Sequence, residues 1–225
     1  MDSKIAASII SSGVVLLGLF YNMYKNKKQF DRTQNNLRFN LDYERVKERR
    51  DIEQSKLDEF YLPLKNYLQR SKHAYQTLTQ NKPKDFRTLD FLLNREILFD
   101  GNKIDWNEND DVILKRIFSI GIEIENLIIN QGSSIQDVEF REVYVPSPGF
   151  EDKEYPEGIS LFEFALEHFS YIRDVYYGNI ENDARFNKFK YPRELNTRVL
   201  AKIEETKEKI RIEENSMNSF RAKII

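Results

Sequence analysis

Few residues in this chain have a type and spacing suited to chemistry. Its only histidines are His73 and His168. Two imidazoles beside carboxylates could hold a metal, yet no His-x-x-x-His, Glu-x-x-His or His-Glu-x-x-His spacing occurs. On a helix His168 faces Tyr171 and Ile172, the position of a hydrogen-bonded histidine at the edge of a core. The acidic run Asp105-Trp106-Asn107-Glu108-Asn109-Asp110-Asp111 matches the first three alternating ligands of a calcium loop. It fails where the geometry is strictest: Asp110 replaces the glycine at the sixth position, and Arg116 the bidentate glutamate at the twelfth. Asn109 or Asp110 capping the next helix explains the run better, with the acids at its positive end.

No phosphate-cradling glycine loop, Gly-x-Ser-x-Gly elbow or kinase signature is present. Zero cysteines exclude disulfides, thiolate metal sites and cysteine nucleophiles. An arginine followed a few residues later by histidine marks one class of all-helical RNA-cleaving domains. Arg70 to His73 is too short for it, and His168 to Arg173 runs in the reverse order. With 35 basic and 37 acidic residues, the formal charge of -2 offers no broad basic face for nucleic acid. Tyr191-Pro192-Arg193-Glu194-Leu195 could form a surface contact, though a proline in the first helical turn accounts for it. The expectation is a non-enzymatic protein with no catalytic, cofactor-binding or metal-ligating set.

One pattern remains, near the N-terminus. Ala7, Ser11, Gly18 and Asn22 are spaced by four, seven and four residues, and so share one side of a helix. Small and weakly polar residues on one stripe let helices approach closely and hydrogen-bond in a membrane. In a ring of copies the same stripe would face a narrow pore. The bland alternative is that such residues are merely tolerated in a lipid-facing helix.

The element that must carry this stripe is Ile5 to Tyr24, which contains no charged residue. About 20 apolar residues at ~1.5 Å rise match the ~30 Å hydrocarbon core of a bilayer. Tyr21 and Tyr24 fall where an interfacial aromatic belt is expected. A cleaved signal peptide is the rival reading, but its small residues should lie at the exit, and here they lie at the front. Lys25, Lys27, Lys28 and Arg32 outweigh Lys4, which places the C-terminal part in the cytoplasm by the positive-inside rule.

The rest of the chain reads as mainly α. From Lys25 to Glu59 mixed charges at helical spacing, without Gly or Pro, predict a solvated helical stalk. No sustained heptad can be counted in it. Pro63 predicts a kink or a new helix start where a folded body begins. Helices follow over Asp85–Phe99, Val112–Asn130, Ser160–Tyr177 and from Pro192 onward. The second of these carries Ile113, Ile117, Ile120, Ile124, Leu127 and Ile128, widened by Phe118, Ile122 and Ile129, and should be central. Val138 to Val145 roughly alternates and predicts a short strand or extended segment. Ser160 and Glu163 form a capping box, and Gly178 a stop.

The expected architecture is therefore mainly α: a single-pass transmembrane anchor (1–28), a charged juxtamembrane helical stalk (29–59), a helical cytosolic domain with at most a minor β element (60–210) and a loose C-terminal tail (211–225). This layout resembles that of single-anchor effectors of bacterial antiviral defence. The resemblance implies a homo-oligomeric effector at the inner (plasma) membrane that perturbs or permeabilises the bilayer on a cytosolic signal. The alternative is a membrane-bound scaffold or adaptor whose body binds a cytosolic protein partner.

Overall fold

Long stretches with apolar residues three and four apart, and only 8 Gly and 6 Pro, favour helix throughout. The computed structural model describes residues 3–84, 86, 88, 91–92, 98–99, 102–132, 135, 138–146, 158–180 and 190–222. Side chains are described from Leu19 onward, excepting 98–99, 102–103 and 138–139. The helices are α1 (Ser3–Ser55), α2 (Leu62–Thr79), α3 (Glu108–Gly132), α4 (Val138–Arg141), α5 (Leu161–Tyr177) and α6 (Leu195–Ala222). Two short strands, β1 (Leu98–Phe99) and β2 (Asn102–Lys103), pair antiparallel with Leu98 opposite Lys103 and Phe99 opposite Asn102. The fold is mainly helical, as the composition requires. Leu98 and Phe99, expected at the end of a helix, are strand; residues 93–97 lie outside the described set.

The chain divides into two compact units. One comprises Met1–Asp51 with Ile210–Ile225, the other Ile52–Lys209. Stalk and tail sequences, expected as separate segments, thus fall in the same unit. In it Phe220 meets Phe39 edge-on at 5.2 Å and Tyr43 at 6.3 Å. Arg49 donates through Nε and Nη2 to the two carboxylate oxygens of Glu213, at 2.8 and 3.1 Å. Val46, Ile210 and Met217 are buried. Residues 211–222 are therefore not a loose tail but the last turns of α6, fixed because their sparse apolar residues find partners on α1.

No helix among the described residues is long and apolar enough to cross a membrane. The stretch expected as the anchor belongs to α1 by its backbone, and its side chains up to Gly18 lie outside the described set. The anchor thus gains no support from the fold.

In the second unit a π-helical turn, Lys56–Tyr61, precedes α2, and the Leu62 amide donates to the Leu57 carbonyl five residues back. Pro63 follows at the first turn of α2. Its ring would meet the carbonyl one turn earlier in a regular helix, and the wider turn takes this up. Of the kink or new helix start expected at Pro63, a new helix start is seen, with the backbone helical through the π turn before it. Leu57, Phe60 and Tyr61 are all buried beside Leu64 and Leu68.

Helix α3 packs against α2, α5 and the π turn, which makes it the central element. Ala74, Leu78, Leu92, Leu114, Ile117, Phe118, Tyr171, Ile172 and Val175 form one core cluster. Ile122 and Ile129, expected to widen the α3 stripe, are exposed instead. Arg173 of α5 closes a two-pronged ion pair on Glu125 of α3, at 2.5 and 3.1 Å. A second cluster joins Phe60, Phe140 and Phe162, with ring centroids 4.3 to 5.7 Å apart. Phe140 belongs to α4, so the segment expected as a strand starts as a helical turn. Its ring lies directly over Gly132, where any Cβ would collide with it.

The caps follow local chemistry. Asn107, not Asn109 or Asp110, caps α3: its Oδ1 accepts from the amides of Asn109 and Asp110 at 2.9 and 3.3 Å. Asp110 instead accepts from the Asn107 amide at 3.0 Å and from Lys82 Nζ at 2.8 Å. Ser160 and Glu163 form the expected capping box, and Gly178 ends α5 with φ 74°.

Candidate functional site

Helices α2, α3 and α5 converge on a cavity of about 390 Å³ in the Ile52–Lys209 unit. Ser71, Lys72 and Tyr75 face it from α2, and Leu114, Ile117, Phe118 and Gly121 from α3. His168, Phe169 and Ile172 line it from α5, Lys190, Tyr191 and Arg193 from the segment before α6, and Asn196 from the first turn of α6. Thr88 completes the wall.

The contributions of α2, α3 and α5 follow from helical spacing. Ser71 and Tyr75 are one turn apart, as are Leu114, Phe118 and His168, Ile172. Gly121 stands where α3 and α5 come closest: a Cβ there would lie 3.1 Å from the Phe169 ring. The lining is mostly apolar and aromatic. Among the described lining residues the charged ones are Lys72, Lys190 and Arg193, with no carboxylate. No described residue forms an ion pair with Lys72 or Lys190. Lys72 and Arg193 are exposed and Lys190 is half-buried, so these cations give the cavity a positive potential that solvent partly screens.

Three polar groups sit deep in this wall. His168 is buried, with its ring edge-on to Phe169 and Tyr191, each at 5.4 Å. The histidine expected at a core edge is therefore part of a cavity wall. Burial raises the Tyr191 phenol above its ordinary pKa, partly offset by its hydrogen bond with Asn196. Thr88 is 4% exposed, and its Oγ1 is buried without a hydrogen-bond partner. His73 is exposed and takes no part. Among the described residues, no group of three acidic or imidazole side chains could hold a metal ion.

Sequence reasoning treated Tyr191 to Leu195 as a proline-started helix, with a surface contact as the other reading. Tyr191 and Arg193 line the cavity, while Leu195 is fully buried. The rest of the lining had no local signature, because it comes from segments up to 125 residues apart, Ser71 to Asn196.

A second feature lies on α1 in the other unit. Leu19, Met23, Phe30, Leu37 and Leu41, at steps of four, seven, seven and four, are all more than half exposed. At ~100° per residue they share one side of the helix, opposite Phe39 and Tyr43, which meet Phe220 of α6, and the buried Val46. Of the stripe Ala7, Ser11, Gly18 and Asn22, only Asn22 has a described side chain, and it is exposed. The other three lie outside the described side chains. No protein-family model, curated protein or solved structure matches this chain.

Proposed function

We propose that the protein is a membrane-tethered, self-associating effector, without enzymatic activity of its own, that perturbs or permeabilises the inner membrane when its cytosolic body receives a signal. The observation that carries the reading is the exposed apolar face of α1. Leu19, Phe30 and Leu41 recur every eleven residues, with Met23 and Leu37 between them, close to the ~3.67-residue period of helices that pack on one another in a right-handed supercoil. The face starts inside the uncharged run from Ile5, so a helix held in a bilayer would keep Leu19 and Met23 within the membrane and present Phe30, Leu37 and Leu41 to neighbouring copies just beyond it. The small residues Ala7, Ser11 and Gly18, with Asn22, lie about 100° round the helix from that face and would give a second, separate contact within the bilayer.

The test is the mass of the full chain purified in detergent, together with dye leakage from vesicles that contain it. The expected result is a closed assembly of several copies that leaks. Leu37→Glu with Leu41→Glu should dissociate it, because unpaired carboxylates would enter the contact. Ser11→Leu with Gly18→Leu should weaken assembly while insertion persists, since leucine remains favourable in a membrane helix. A monomer that does not leak overturns the proposal and leaves a scaffold or adaptor for a cytosolic partner.

A further inference from the structure

We infer that the cavity in the Ile52–Lys209 unit is a binding site for a small aromatic anion, a ring system bearing a carboxylate or phosphate. Its volume of about 390 Å³ falls within the range of small-molecule sites and suits a bicyclic ligand rather than a macromolecular segment. Phe118, Phe169 and Tyr191 supply flat faces and edges for a ring to stack on. Lys72 and Lys190 give the ligand its sign: both line the cavity, neither has an ion pair with a described residue, and no carboxylate is among the described lining residues.

Thr88 is the second, independent indication. A hydroxyl buried at 4% exposure ordinarily has a partner, because leaving it unpaired costs stability. Its Oγ1 has none, and the residue lines this cavity. An acceptor oxygen on a ligand would satisfy it, and a carboxylate or phosphate supplies one. Charge, shape and the unpartnered donor thus point to the same chemistry. The site is separate from the α1 face, and ligand binding does not depend on self-association.

The experiment is isothermal titration of the full chain in lipid nanodiscs, with protein-free nanodiscs as the blank. The probes are 1-naphthoate, its neutral amide 1-naphthamide, decanoate and inorganic phosphate. The expected result is saturable binding of naphthoate at one site per chain. The amide should bind roughly tenfold more weakly, because charge-assisted hydrogen bonds are the stronger ones. Decanoate should bind more weakly than naphthoate, and phosphate alone should not saturate. Lys72→Gln with Lys190→Gln should bring naphthoate down to the level of the amide and leave the amide unchanged. Thr88→Val, an isosteric change, should weaken naphthoate severalfold while the melting temperature without ligand stays the same or rises. Equal affinity for naphthoate and its amide, or no saturable binding at all, overturns the proposal. So does wild-type affinity in both variants, and tighter binding of decanoate overturns the aromatic assignment. Assembly mass measured on the same samples keeps this outcome distinct from that of the effector reading.

Discussion

Ile124 has no exposed surface, while Glu123 beside it on α3 points to solvent. An aspartate at position 124 would carry an unpaired carboxylate into the centre of the α2, α3 and α5 packing. Ile124→Asp should therefore destabilise the protein by several kcal/mol, and Glu123→Ala by within about 0.5 kcal/mol. Denaturant unfolding followed by circular dichroism checks both, and similar losses would mean the buried face is misassigned. Tyr191 makes a pH-dependent contribution whose sign follows from its raised pKa. Its phenol stays neutral in the folded chain above the point, near pH ~10, where an unfolded tyrosine ionises. Its contribution is whole below that pH and declines as pH rises toward the folded value. Tyr191→Phe should thus flatten the loss of stability above about pH 10 relative to wild type. Parallel alkaline profiles would show that its burial does not matter.

At the scale of elements, ends and interruptions are set by local rules. Ser160 Oγ accepts from the Glu163 amide, and Glu163 accepts in turn from the Ser160 amide at 2.7 Å. Ser160→Ala should cost about 1 kcal/mol, read as a lowered melting temperature, and Ser160→Gly only a few tenths. Equal losses from the two changes would point to packing rather than capping, since Ser160 is itself buried. The π turn at Lys56–Tyr61 shows the same local logic. One residue was absorbed into a wider turn, where the proline alone suggested a break, because Phe60 and Tyr61 on one side and Leu64 on the other all had a core to enter.

For the whole molecule, the pairing of α1 with the end of α6 has the largest consequence. Deleting residues 211–225 removes Phe220 from Phe39 and Tyr43, and Glu213 from Arg49. The truncated chain should lose helix content and expose apolar surface, seen as lowered ellipticity and increased binding of a hydrophobic dye. Phe220→Ala should do part of the same. A truncated chain with unchanged ellipticity per residue and no added dye binding would mean that the contact carries no stability. By contrast, deleting residues 1–28 should leave a soluble chain that keeps its helical spectrum, because the aromatic pairing begins at Phe39.

The sequence by itself determined the features that depend on neighbours along the chain. Helical spacing of Ile117, Ile120, Ile124 and Ile128 named the buried side of α3, and the Ser160 box and Gly178 named the ends of α5. These are short-range effects of backbone hydrogen bonding and amphipathic spacing, and they are written within a few residues. Tertiary structure decided what depended on distant partners. Only packing shows that Met217 and Phe220 find α1, that Ile122 and Ile129 are left outside, and that Val138–Arg141 winds up under the Phe60 cluster. The cavity belongs to this second kind. Lys72, Thr88, His168 and Lys190 carry no shared motif, and a positive, apolar-walled site exists only because three helices and the segment before α6 bring them together. Periodicity records which side of a helix is buried; it does not record against what.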